Sequence, residues 1–529
     1  MTARWGSLPA ALRWFAAGLS ALILLVATRW PLAPVHLYFF DNVNFALALD
    51  DFNPAMHQPQ PPGYPLFVGL TRLIHIFVPD PPHVFLIAGF IGALAALFLI
   101  RCLGASMFAP AAGWIAAALL FANPPFWLAG IASQVRIFLA VGSLGTGLLA
   151  WHALQKDAPS GWFYGSFAWL GIAAGFRPVE SMLLVPLLLW VWAHSSRSLR
   201  RLALAILIFS ATLAPSLIVT VTAMGGVHAT TGILWSYANA QFQGSSRLFG
   251  AADNAALTML AEAVVWNGLG MLAWIWALPF SAVRRAFGSW DIRMRFLLFW
   301  FLPPFLFSAL IHIGDPDQAL TTIPILCLCG GAVLESLVRS PGGWRIGGMA
   351  AGAAAISSLL FFVPLPLKIA RATTYRAVAG GARITDAAIY AIENIRKRGP
   401  AIIIHYGFPV SWRQISYYFP DDYVVFLPGV PGDSAPSGDA WILQHRKLLS
   451  AYRSGSSIIL PPGRQLVFLL PQGVRPMQVA TDLPASKQLG RVFYLCGLPR
   501  KQFRFGWYDF AFSGNTSVAI RAQAPRLVP

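Results

Sequence analysis

Residues 41–65, DNVNFALALDDFNPAMHQPQPPGYP, are the longest polar interruption in an otherwise apolar first third of the chain. They hold three carboxylates, one histidine and a turn rich in proline. An apolar run, Trp14 to Thr28, precedes them, and a series of apolar runs follows as far as Phe362. Each run of about twenty residues is long enough to cross a hydrocarbon core of roughly 30 Å as a helix. The stretch therefore reads as a shaped connection between spans, and the fold class as a polytopic α-helical membrane protein.

Composition agrees. The 529 residues are 57% hydrophobic and 11% charged with a mean hydropathy of +0.62, whereas soluble domains carry roughly a quarter charged residues. Spans are expected near 12–28, 83–103, 109–126, 131–153, 162–176, 179–193, 201–222, 257–281, 295–312, 319–338 and 346–364, about eleven in all. No small-x-small cleavage site follows Trp14–Thr28, so that run reads as a retained anchor helix. With the N-terminus inside, the inner loops carry Arg101, Lys156, Arg197, Arg200, Arg201, Arg284, Arg285, Arg293, Arg295, Arg339 and Arg345. This is the positive-inside pattern, and it puts the first loop (29–82) and everything after Pro366 outside.

The four cysteines, Cys102, Cys327, Cys329 and Cys496, make neither a disulfide framework nor a zinc spacing. Of the net charge of +18, a surplus of 12 lies past Leu367, where 20 Lys and Arg face 8 Asp and Glu. A basic tail beside a membrane suits lipid headgroups or lipid-linked phosphates rather than nucleic acid.

Composition changes again at the end of the spans. Residues 1–367 read as the membrane domain and 368–529 as a small soluble α/β domain. In ARITDAAIYAIENIRKRG, Ile384, Ala388, Ile392 and Ile395 fall at helical spacing, with Gly399 as the stop. AIIIHYG, YVVFLP, RQLVFLLP and RVFYLCGL read as strands. Tyr64 to Phe77 is expected as a helix lying at the interface, and the connection 223–256 as a long irregular outer loop bearing Trp235, Tyr237 and Phe242.

Several residues suggest chemistry. Asp41 sits at the mouth of the first span, where low-dielectric neighbours raise a carboxylate's proton affinity and suit it to act as a general base; it equally serves to solvate a span end. QPQPPGYP fixes a backbone course, with His57 and Gln60 beside it. Arg136 and Arg177 stand near outer span ends, either as phosphate clamps or as snorkelling side chains. In HIGDPDQ, Asp315 and Asp317 suit a sugar hydroxyl, a metal or a plain turn.

An aspartate after the first span, followed by His…Pro-Pro-Gly-Tyr-Pro-Leu, resembles the first outer loop of GT-C membrane glycosyltransferases. The likeness is to the protein O-mannosyltransferase and aminoarabinose transferase families, and it continues more weakly through SQVRIFLA, GFRPVESMLLVPLLL and HIGDPDQALTTIPILCL. The resemblance implies an enzyme that moves a hexosyl or pentosyl group from a polyprenyl-phosphate donor to an acceptor hydroxyl on a glycan, lipid or protein of the cell envelope, with inversion. It implies Asp41 as the catalytic base. It implies substrate contacts from His57, Gln60, Tyr64, Gln134, Arg136, Arg177, His312, Asp315, Asp317 and Gln318. Location would be a bacterial cytoplasmic membrane, with the site and the C-terminal domain facing the periplasm.

The sequence departs from that pattern in two places. Gln60 occupies the position beside Pro-Pro-Gly where a histidine is common, and Gln134 one where an acidic residue is frequent. A second matching carboxylate is therefore not supplied by this pattern, so no metal ligands are assigned, and the cofactor is left open, a divalent metal included. A lipid-linked sugar flippase or other transporter is the competing class, although the sequence shows no matching halves of the kind alternating-access carriers have.

Overall fold

The computed structural model describes residues 9–195, 197–277, 291–339, 343–363, 369, 372–397, 399–427, 440–452, 457–460, 464–470, 489–498, 502–511 and 518–521. Arg284, Arg285 and the boundary expected at 367/368 lie outside the described residues. The chain forms two compact units. One holds Met1–Ala33 and Asn44–Val378, the other Pro34–Val43 and Ala379–Pro529.

The first unit is helical. Its early helices are α1 (Ala10–Arg29), α2 (Phe40–Asp50, whose first residues belong to the second unit), α3 (Pro65–His75), α4 (Pro81–Met107), α5 (Pro110–Ala122), α6 (Pro124–Ile131), α7 (Ile137–Ala153) and α8 (Ser160–Phe176). After these come α9 (Pro178–Met182), α10 (Val185–Ser195), α11 (Leu199–Ala223), α12 (Val227–Gln243), α13 (Asp253–Gly268), α14 (Ile292–Leu310), α15 (Ile323–Val338) and α16 (Gly343–Leu360). Among the described residues, five helical stretches are long and apolar enough to cross a membrane, or six if α5 and α6 count as one bent span.

Three sequence expectations change. The span foreseen at 109–126 is broken at Asn123, where α5 and α6 meet at 60°, because Pro124 and Pro125 supply no backbone N–H. The polar stretch 41–65 is not all loop, since 40–50 is helical. The connection 223–256 contains the 17-residue α12, which starts after Gly226 and stops at Gly244.

α4 and α5 touch through glycines: a Cβ on Gly104 would stand 2.7 Å from the Cα of Gly113. Small residues permit this backbone approach where hydrocarbon offers no driving force of its own. The break after α5 has a built partner. The Phe121 carbonyl would bond the nitrogen of Pro125, which has no hydrogen, and instead it accepts from Arg29 Nη2 at 2.8 Å. The Arg29 guanidinium lies 4.1 Å from the Phe121 ring centroid and 3.7 Å from that of Trp127, and the residue is fully buried. A bare carbonyl in hydrocarbon would cost several kcal/mol. Arg29→Met keeps most of the volume and removes the donor, so a loss of about 1–3 kcal/mol is expected, read as a lower thermal midpoint in detergent. An unchanged midpoint would mean the carbonyl finds another donor.

The second unit is a seven-stranded sheet in the order β4-β3-β2-β1-β6-β7-β8 beside a two-stranded one, β5-β9. The strands are β1 (Ala401–His405), β2 (Tyr423–Phe426), β3 (Ala440–Gln444), β4 (Lys447–Tyr452), β5 (Ser457–Leu460), β6 (Gln465–Leu470), β7 (Leu489–Leu498), β8 (Gln502–Ala511) and β9 (Val518–Arg521). β1 pairs in parallel with β2 and β6, and β6 with β7, while the outer pairs are antiparallel. Helix α17 (Tyr375–Arg396) buries Ile384, Ala388, Ile392 and Ile395 against residues of β1, β2 and β6.

Residues 34–43 join this unit by specific bonds. His36 Nδ1 meets Asp386 at 2.8 Å, and the Leu37 N–H donates to the Tyr418 hydroxyl at 2.6 Å. In the short helix α18 (Trp412–Tyr418), Gln414 Nε2 donates to the Leu37 and Tyr38 carbonyls at 3.1 and 2.8 Å. The Gln414 Oε1 meanwhile accepts from the Ser411 N–H and closes a capping box.

Candidate active site

In the first unit, the turn QPQPPGYP packs back on the Pro54–Met56 turn that precedes it. Gly63 has φ +102°, and a Cβ there would stand 2.8 Å from Pro54 Cγ, so only glycine fits without displacement. Tyr64 follows in the left-handed region at φ 50° and opens α3. One helix further along the bundle, a Cβ on Gly175 of α8 would lie 2.6 Å from Leu66 Cδ1 of α3. That close packing brings the end of α8 to the shaped turn. There Pro178 follows Arg177, the extended C-cap of α8, and the Arg177 guanidinium lies 5.0 Å from the Tyr64 ring centroid. Tyr64 and Arg177 are both buried.

Arg136 closes a one-turn 3-10 helix, Gln134–Arg136, between α6 and α7. Its two terminal nitrogens reach different carboxylates of the 312–318 segment: Nη1 donates to Asp317 at 2.6 Å and Nη2 to Asp315 at 2.7 Å. Asp317 is 1% exposed and also accepts from the Ser133 hydroxyl, whereas Asp315 is 37% exposed. Burial pushes the Asp317 carboxyl above the usual range, Arg136 pulls it down, and Asp315 pushes it up again. Arg177 stands within electrostatic reach of the same carboxyl. A cavity of about 10 Å³ links Arg177 to Ser143 and Thr321, roughly enough for a single water. The 316–321 segment is fixed from behind, since Ser143 Oγ donates to the Thr321 carbonyl and accepts from Trp300 Nε1, both at 2.8 Å.

Tyr64, Arg136, Arg177, Asp315 and Asp317 thus form one constellation. Gln134 shares the turn of Arg136 and packs against Gly89, where a Cβ would meet its Cγ at 2.8 Å. His312 and Gln318 flank Gly314 in the same segment as the aspartates: His312 Nδ1 lies 3.2 Å from Ser245 Oγ, and Gln318 Oε1 accepts from the Gly314 N–H at 2.7 Å. Gln60 and His57 belong to the shaped turn. Gln60 accepts from Asn44 at 3.4 Å, and the His57 ring meets Tyr237 edge-on at 5.8 Å. Asp41 lies in the first turn of α2, in the second unit.

Sequence reasoning passed over Ser133, Asn44 and Arg29. Ser133 stands three residues before Arg136, a spacing that invites no inference until Asp317 is seen between them. Among the described residues, no group of three or more His, Cys, Asp or Glu side chains is gathered as a metal-ligand set. Both Asp317 oxygens are already occupied by Arg136 and Ser133.

No protein-family model and no curated protein matches this chain. Solved structures do. ArnT from Cupriavidus metallidurans bound to undecaprenyl phosphate is similar over 80% of this chain and 87% of its own, with a TM-score of 0.55 at 14% identity. Its apo form covers the same shares with a TM-score of 0.53 at 14% identity.

Proposed function

Starting from the fold this chain shares with the aminoarabinose transferase ArnT, that of GT-C membrane glycosyltransferases, we propose that it is a membrane glycosyltransferase using a polyprenyl-phosphate sugar. The observation that carries this reading is the pair of buried arginines, Arg136 and Arg177, fixed at broken helix ends beside Tyr64. In the same fold, ArnT binds undecaprenyl phosphate.

In this reading Asp41 takes the proton of an acceptor hydroxyl. The acceptor oxygen bonds to the anomeric carbon as the bond from that carbon to the phosphate oxygen breaks. The electron pair leaves on the lipid phosphate, and the anomeric centre inverts. A lipid phosphate leaves already anionic, so cationic clamps replace the general acid of glycoside hydrolysis. Arginine suits the task because its charge persists and its fork meets phosphate oxygens in pairs. Arg177 binds the phosphate directly. Arg136 gives up its contact with the half-exposed Asp315 to do so, while buried Asp317 keeps hold of its other edge. His57, Gln60, Gln134, His312 and Gln318 would contact sugar or carrier. The acceptor is a glycan, lipid or protein.

The loop charges support an outer-face reaction in a bacterial cytoplasmic membrane, with residues 368–529 as an extracytoplasmic domain. The test is transfer of labelled sugar from polyprenyl-phosphate donors to cell-envelope material by membranes containing the protein. Arg177→Gln should raise the donor KM by about 10–100-fold, the loss of a charge-assisted hydrogen bond. Labelled lipid crossing the bilayer with no sugar transferred would instead identify a transporter.

A further inference from the structure

Away from the arginine constellation, α1, α4 and α5 enclose a groove of about 770 Å³ on the flank of the first unit. Its walls are apolar, from Trp14 and Gly18 on α1 and Phe98 on α4 to Trp114 and Phe121 on α5. Arg101 is the one charged residue lining it among the described residues. The guanidinium carbon lies 4.0 Å from the Trp14 ring centroid and 5.2 Å from that of Trp114. Its Nε is buried without a hydrogen bond, and among the described residues no carboxylate meets the guanidinium.

We propose that the groove seats an anionic glycerophospholipid of the surrounding bilayer, with the phosphate on Arg101 and one acyl chain along α1. Three features single out this occupant. A cation held at an apolar trough with no carboxylate partner among the described residues calls for an anion joined to a hydrocarbon chain. The two tryptophans beside Arg101 are the residues that mark headgroup depth in membrane proteins. The trough runs from Trp14 to Leu24, ten residues or about 15 Å of helix, a length one acyl chain fills.

The groove is separate from the donor site. Gly89 of α4 packs on Gln134, and Arg101 stands twelve residues further along that helix, about 18 Å along its axis. The proposal therefore does not depend on the reaction assigned above.

Native mass spectrometry of the purified full-length protein tests it, using phosphatidylglycerol and phosphatidylcholine with matched acyl chains. The wild type should prefer phosphatidylglycerol by about fivefold, the attraction of one basic side chain for an anionic lipid. Arg101→Gln should abolish the preference, and Arg101→Lys should keep most of it. Beyond its own helix backbone, no atom lies within 4 Å of a Cβ placed on Gly18, which lines the groove, so Gly18→Leu begins its side chain in open space there. That variant should lower the occupancy of both lipids several-fold and leave the melting temperature unchanged. Equal binding of the two lipids by the wild type, or a preference that survives Arg101→Gln, would overturn the proposal. So would a site that takes undecaprenyl phosphate and is not competed by phosphatidylglycerol.

Discussion

Arg136→Met should lose about 3–5 kcal/mol of stability, the usual result of removing one partner from a buried ion pair. The reason is the company the guanidinium keeps. Asp317 is enclosed, with Arg136 on one oxygen and Ser133 on the other, and losing the cation leaves a carboxylate where ionisation is already disfavoured by burial. The same carboxylate holds the 316–321 turn against α7, so the damage should extend to the Thr321–Ser143–Trp300 chain of bonds. Thermal unfolding in detergent checks this. Arg136→Met combined with Asp317→Asn should melt closer to the wild type than Arg136→Met alone, because the stranded charge is gone. A single variant that melts like the wild type, or a double variant as unstable as the sum of its parts, would show that the pair is not what holds this turn.

Asp41→Asn should lower sugar transfer by about 10²–10⁴-fold, the usual contribution of a general base. Asparagine keeps the size and the hydrogen-bonding edge of the side chain and loses its capacity to take a proton. The backbone on either side should not move, since Leu37 and Tyr38 remain bonded to Gln414 and Asp41 remains in the first turn of α2. Donor binding should therefore stay at the wild-type level while turnover collapses. Equal turnover by the two proteins would remove Asp41 as the base, and joint loss of donor binding and stability would make it a structural residue.

The sequence disclosed what is set by local physics. The isoleucine spacing of α17, the apolar run of β1 and the fixed course of QPQPPGYP follow from periodicity, burial and backbone sterics, and each stands as read. What it concealed depends on contacts distant in the chain. The Asp-Pro-Asp of 315–317 has the composition of an exposed turn, yet its second carboxylate is buried because Arg136, 181 residues earlier, neutralises it. Arg29, passed over in the sequence, takes its role only from Pro125, which deprives the Phe121 carbonyl of a donor 92 residues away. α12 was hidden for another reason. VHATTGILWSYANAQFQ mixes polar and apolar residues without a clear face, so its hydrophobic pattern carries little helical signal.

The bonds from Gln414, Tyr418 and Asp386 to residues 36–38 join segments 350 to 381 residues apart in the chain. A ribosome delivers Asp41 several hundred residues before the groups that secure its approach. A chain released early can insert its helices and still leave this aspartate on a tether with nothing to hold it. On the proposed mechanism, activity then waits until residues 386–418 have been made. Products truncated before them would bind carrier without turning it over.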